Sequence, residues 1–166
     1  MLRIHAYDHD RLVAADAVIA SAAADATSVA PQPPVIWYDL INPTAKEERD
    51  VGSRLGVTIP TQDEMEDIEL SARLYQEDGA EFMTMTVLTR PDAGTPHKVP
   101  VTFIVKGQVL VTVRYSERRP FDAFMARARK VNGLGLHSAT GELIMTGLVE
   151  AIIDRMADTL ERLGND

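Results

Sequence analysis

The chain has 166 residues, 45% of them hydrophobic, and a formal net charge of −8. This length fits one domain with a sizeable core, and the acidic balance argues against a nucleic-acid partner, whose phosphates are bound mainly by Lys and Arg. Without cysteine there is no disulfide bond or thiolate metal site, and without an apolar run of about 20 residues we expect no membrane span.

The first part of the sequence predicts two strands separated by an irregular segment. Residues 2–7 alternate weakly and predict an edge strand. The Ala-rich residues 12–30 are typical of a short helix or a connector, and the sequence gives them no function. "PQPP" at 31–34 excludes helix, and "VIWYDL" at 35–40 predicts a strand.

Two helix starts then use the same capping chemistry. Thr44 and Glu47 have the spacing of a capping box, and Thr61 and Glu64 repeat it. We expect the first of these helices to stop at Gly56, because glycine readily adopts the left-handed conformation that ends helices.

Alternation of apolar and polar residues predicts four strands in two hairpins, at residues 68–75, 82–88, 99–105 and 109–113. The pair Asp78-Gly79 supplies the first turn. Residues 90–98 are expected to form a loop that contains His97.

Two helices are expected to follow the hairpins. A shared apolar face that includes Val131 predicts one over 119–132. Ser138 or Thr140 starts the last helix, which runs to Leu163 or beyond. Its apolar side is predicted to consist of Met145, Val149, Ile152, Met156, Leu160 and Leu163. The fold class is therefore α/β: a mixed, largely antiparallel sheet flanked by helices, with a long C-terminal helix, in a single domain over 1–166.

The last helix also carries a candidate cation-binding face. Glu150, Asp154, Asp158 and Glu161 fall within about 80° of one another, opposite the predicted apolar side. Like charges four residues apart mildly destabilise a helix, and a bound Mg²⁺ or Ca²⁺ would relieve that repulsion. An ordinary solvated face is the more common explanation of such a pattern.

A second acidic surface lies at residues 60–82, which hold eight acids and one base. Acids in a first helical turn are stabilised by the positive end of the helix dipole, and this explains Asp63 and Glu64. Glu66, Asp67 and Glu69 have no such local explanation. The candidate metal ligands of the whole chain are therefore Glu66, Asp67, Glu69, Glu150, Asp154 and Asp158.

Catalytic motifs are absent from the sequence. We find no nucleophile elbow, no P-loop and no dinucleotide fingerprint, so we expect no enzymatic activity. "HAYDHD" at 5–10 places two histidines beside two aspartates, but the segment lacks a helical frame for a metal. His97 and His137 are expected to be structural or exposed.

Four segments in the same order resemble the CorA-type divalent-cation transporters, including their ZntB relatives. They are "VIWYDLINPTAKEE" (35–48), "IPTQDEMEDIELSARLYQEDGAEFMTMTVLT" (59–89), "VTFIVKGQVLVTVRYSERRPFDAF" (101–124) and "GELIMTGLVEAIIDRMADTLERL" (141–163). The first is similar to the family's Trp-x-Asp-Leu segment and the third to its hairpin ending in Thr-Val-Arg. The last is similar to the start of the long helix that leads toward the membrane.

The resemblance implies a cytoplasmic regulatory or assembly domain of a membrane transporter for Mg²⁺, Zn²⁺, Co²⁺ or Ni²⁺. It implies identical subunits as partners, in a pentamer, and a location at the cytoplasmic face of the cell membrane. The family's two membrane helices and Gly-Met-Asn signature are not in this sequence, so we expect a piece of a longer protein that conducts no ions by itself.

Our hypothesis is that carboxylates near Glu66, Asp67 and Glu69 of one subunit face Asp154 and Asp158 of another, where a cation bridges them and favours one arrangement of the subunits. Two alternatives remain open. One is a free-standing soluble enzyme or ligand-binding α/β domain, and the other is an acidic protein-docking domain.

Overall fold

A computed structural model of the protein describes residues 1–15, 33–67, 73–89, 95–115 and 119–164. Within these ranges no helix is both long and apolar enough to cross a bilayer. The described elements, in chain order, are β1 (Leu2–Asp8), β2 (Arg11–Ala14), β3 (Val35–Ile41), α1 (Ala45–Leu55), α2 (Gln62–Asp67), β4 (Leu74–Glu77), β5 (Ala80–Thr89), β6 (His97–Lys106), β7 (Val109–Arg114), α3 (Arg119–Ala128) and α4 (Gly141–Gly164).

The described strands lie in one sheet with the order β2-β1-β3-β7-β6-β5-β4. Neighbouring strands are antiparallel except β3 and β7, which run parallel and pair Asp39 with Thr112. In these two central strands every residue after the first is buried. The prediction of a mixed, largely antiparallel sheet flanked by helices with a long C-terminal helix is confirmed.

Helices cover both faces of the sheet. On one face, Val51 of α1 and Met65 of α2 join a buried cluster with Leu40 of β3. On the other face, Phe124 of α3 and Leu148 of α4 join a second cluster that includes Trp37 and Phe103 from the sheet. The acidic helix α2 and the acidic helix α4 therefore belong to opposite sides of the molecule.

The predicted helix starts and the first helix stop are confirmed. The Thr44 and Thr61 hydroxyls accept from the backbone N–H groups of Glu47 and Glu64, and the carboxylates of these glutamates accept from the threonine N–H groups in return. Gly56 ends α1 with φ 63° and ψ 45°. Of the two starts proposed for the last helix, Thr140 is correct, since its hydroxyl accepts from the N–H of Leu143 at 3.4 Å.

Several strand predictions need correction or fall outside the described ranges. Strand β1 is not at the edge, because the chain turns at His9-Asp10 and β2 pairs outside it. Both turn residues have positive φ, 47° and 58°, which suits a two-residue hairpin. The turn carries no Asn-Gly or Gly signal. The sequence alone therefore does not predict that strand β2 begins the segment that follows it. Most of that segment, and residues 68–72 of a predicted strand, lie outside the described residues.

The loop predicted at 90–98 is also partly wrong. Its first five residues are outside the described ranges, but His97 and Lys98 belong to β6, where they pair with Thr89 and Leu88 of β5. Pairing with β5 extends β6 to residues that the alternation of apolar and polar side chains in β6 does not predict as strand.

The two last helices differ from their predicted faces. Helix α3 stops at Ala128, and Val131, predicted on its apolar face, is 59% exposed in the turns that follow. On α4 the predicted Ile152 joins the core cluster with Ile144 and Leu148, and the predicted Met145, Val149 and Met156 pack against that cluster. Leu160 and Leu163, predicted on the same side, are 56% and 38% exposed. The predicted apolar side is thus confirmed as far as Met156, and periodicity alone does not show that its last two residues are exposed.

A buried ion pair between Asp39 and Arg114 joins the two parallel strands to α3. The Arg114 Nε and Nη2 atoms donate to the two Asp39 oxygens at 3.0 and 2.9 Å, and both side chains are 1% exposed. The Thr112 hydroxyl also donates to Asp39 at 2.8 Å, and it accepts from the Trp37 indole N–H at 2.9 Å. The guanidinium lies 4.1 Å from the centre of the Phe121 ring. This network fixes the β3–β7 register and the position of α3.

Removing one partner of this pair should be strongly destabilising. We expect Asp39→Ala to lower the free energy of unfolding by about 3–5 kcal/mol, because it leaves the buried Arg114 charge without its carboxylate. The exposed i,i+4 pair Lys46–Asp50 is the matched control, and Asp50→Ala should cost under about 1 kcal/mol. Urea unfolding of both variants measures the difference, and equal losses would contradict a structural role for the pair.

Glycine at position 147 allows the close approach of α3 to α4. A Cβ added there would lie 2.5 Å from Cε2 of Phe124, whereas one added at Gly164 of the same helix meets no atom within 4 Å. Gly→Ala normally stabilises a helix interior by up to about 1 kcal/mol. We expect Gly147→Ala instead to destabilise by about 1–3 kcal/mol, because the buried Phe124 ring must move.

Gly164→Ala serves as the control for this substitution and should be neutral or slightly stabilising. Thermal or urea unfolding of the two variants gives opposite signs if the helices are packed as described. A stabilised Gly147→Ala protein would contradict the packing of Phe124 on α4.

Candidate cation-binding surfaces

The predicted acids of the first surface lie at the exposed end of α2. Met65 is buried against the sheet, whereas Glu66 and Asp67 face solvent. Glu66 accepts a hydrogen bond from the Gln62 side chain at 2.9 Å. The third candidate, Glu69, lies outside the described residues. Two of the candidate carboxylates are therefore exposed on α2, and one of them already holds a hydrogen-bond donor.

The predicted acids of the second surface line a groove of about 410 Å³ between α3 and α4. The side chains of Glu150, Asp154 and Asp158 are exposed, and Phe124 contributes an apolar part of the lining. Arginines from both helices line the same groove. Its charged residues are Arg119, Arg127, Arg155, Glu150, Asp154 and Asp158.

The arginines change the electrostatics expected from the sequence. Repulsion between carboxylates four residues apart on α4 is offset by positive charges of the same chain, in addition to any bound cation. Arg127 lies 5.7 Å from the centre of the Phe124 ring, within the range of a cation–π contact. A cation that binds Asp154 and Asp158 must therefore compete with nearby guanidinium groups.

The two acidic surfaces are separated by the sheet within one chain. Met65 anchors α2 in the cluster on one face, and Ile152 anchors α4 in the cluster on the other. Across the described part of the chain, no three Asp, Glu, His or Cys side chains are grouped so that they could hold a metal ion. Within the described residues, the candidate carboxylates are therefore not gathered into one multidentate site.

The histidines of the described residues lie in buried or exposed positions, and their contacts differ. His5 is buried in β1. The His9 ring lies 2.8 Å from Asp8, and the His137 ring lies 3.6 Å from Asp10. The His137 contact joins the β1–β2 turn to the segment before α4, and the exposed position of His137 agrees with the expectation of a structural or exposed histidine.

Sequence reasoning missed the contact between Tyr115 and the acids of α1 and α2. The Tyr115 hydroxyl donates to Glu48 Oε1 at 3.4 Å. Burial, followed by the negative charge of Glu48 and that of Asp63, raises the pKa of Tyr115 to about 12. No local spacing links Tyr115 to residues about 50 to 70 positions earlier, so only the parallel placement of β7 beside β3 reveals it.

Comparisons with known sequences identify one family. The model of the family described as "CorA-like Mg2+ transporter protein" matches residues 34–165. The magnesium transport protein CorA of Wolinella succinogenes is 30% identical over 136 residues, covering 80% of this chain and 41% of that protein. The CorA protein of Pectobacterium atrosepticum is 31% identical over 132 residues, covering 79% of this chain and 40% of that protein. The chain spans about two fifths of the length of these relatives.

Solved structures share the fold at low identity. The CorA magnesium transporter of Methanocaldococcus jannaschii matches with a TM-score of 0.63 and 13% identity, covering 99% of this chain and 48% of that one. The full-length CmaX protein matches with a TM-score of 0.66 and 9% identity, covering 98% and 48%. The ZntB cytoplasmic domain of Vibrio parahaemolyticus matches with a TM-score of 0.53 and 13% identity, covering 97% of this chain and 63% of that one.

The raised pKa of Tyr115 makes stability depend on pH at alkaline values. The folded-state pKa exceeds the unfolded value of 10.0, so stability is fully present below pH 10 and is lost as the pH rises through about 12. We expect Tyr115→Phe to reduce this loss. Urea unfolding between pH 9 and pH 12 measures it, and the parent-minus-variant absorbance at 295 nm should titrate near 12.

Titration of other groups is common to both proteins and cancels in the difference between parent and variant. If the two lose stability with the same slope, or if the absorbance difference titrates near 10, the burial of Tyr115 beside Glu48 is contradicted.

Proposed function

The chain belongs to the CorA-like Mg²⁺ transporter family, and from this membership we propose that it is a regulatory and assembly domain of a divalent-cation transporter. In this proposal residues 1–166 form one domain at the cytoplasmic face of the cell membrane, and α4 leads toward the membrane-spanning part of the transporter. Ion conduction belongs to that part. The observation that carries the proposal is the family match over residues 34–165, which takes in both acidic surfaces.

The proposed role is to sense the cation at contacts between identical subunits. Glu66, Asp67 and Glu69 of one subunit would approach Asp154 and Asp158 of its neighbour, and Glu150 would border the same site. The separation of α2 and α4 by the sheet supports an arrangement between subunits rather than within one. Without the cation, the facing carboxylates repel each other; with it, they are bridged, and the bridged arrangement gains population.

The cation is proposed to be Mg²⁺, with Zn²⁺, Co²⁺ and Ni²⁺ as the other candidates. All the proposed ligands are carboxylates, and hard oxygen ligands suit Mg²⁺ better than the softer metals. The names of the relatives, magnesium transport proteins, support the same choice. A ring of five identical subunits is the assembly we propose for the full transporter.

The relatives also bear on the alternatives. They are named as transport proteins and not as enzymes, which supports the expectation that this chain catalyses no reaction. An acidic docking domain without a metal response is one competing proposal, because arginines line the same groove between α3 and α4 as the acids.

Calorimetric titration with Mg²⁺ tests the proposed site. We expect the parent protein to release or take up heat that saturates, and Asp154→Asn/Asp158→Asn to bind about tenfold more weakly, because fewer charged ligands lower cation affinity. Asp50→Asn/Asp78→Asn removes the same two charges elsewhere and is the matched control. Asp50 is exposed in α1, and Asp78 sits at φ 51° in a turn, where Asn is also tolerated.

The control separates specific binding from general screening of a protein with net charge −8. Equal heats for the two double variants would exclude Asp154 and Asp158 as ligands. The absence of any saturable heat in the parent protein, at concentrations that allow its subunits to associate, would favour the docking-domain alternative.

A further inference from the structure

We draw no further inference here: the strongest candidate, the groove between α3 and α4 that is lined by Arg127, Asp154 and Asp158, belongs to the candidate cation-binding surface already described, and nothing in the structure shows which other ligand would occupy it.

Discussion

The buried ion pair between Asp39 and Arg114 is the constraint on which the rest of the structure depends. Taking a carboxylate and a guanidinium out of water is costly, and their attraction offsets that cost only when the geometry is good and the remaining hydrogen bonds are made. Three donated hydrogen bonds reach Asp39 here, one of them from Thr112. A one-residue slip of β7 along β3 would turn these side chains to opposite faces of the sheet. The pair therefore selects a single register at the parallel junction of the described sheet.

The same pair sets the position of the helices that carry the candidate surfaces. Arg114 lies against the Phe121 ring near the start of α3, and Trp37, whose indole belongs to the same network, is 6.1 Å from the Phe124 ring. Phe124 in turn occupies the space that a side chain at Gly147 would need on α4. An unbroken series of contacts thus runs from the centre of the sheet to α4. The direction in which the acids of α4 point follows from this packing.

Local signals were sufficient for the features that depend on neighbours in sequence, such as the Thr44 and Thr61 caps and the β6–β7 hairpin. Features that depend on distant residues could not be predicted. Asp39 and Arg114 are 75 positions apart, and only the parallel pairing of β3 with β7 brings them together. Their one sequence signal is a charged residue inside a strand that is otherwise apolar. On α4, the acidic candidates were placed correctly on one exposed face. The apolar face was placed correctly only in part, because Ile152 and Met156 belong to or pack against the core whereas Leu160 is exposed, and periodicity alone does not distinguish them.

Symmetry constrains the association that the two acidic surfaces could support. A contact between α2 of one subunit and α4 of the next joins different surfaces, so it is heterologous and closes into a ring when the rotation permits. Because the sheet separates α2 from α4 within one chain, each subunit would offer one acidic surface to each of two neighbours in such a ring.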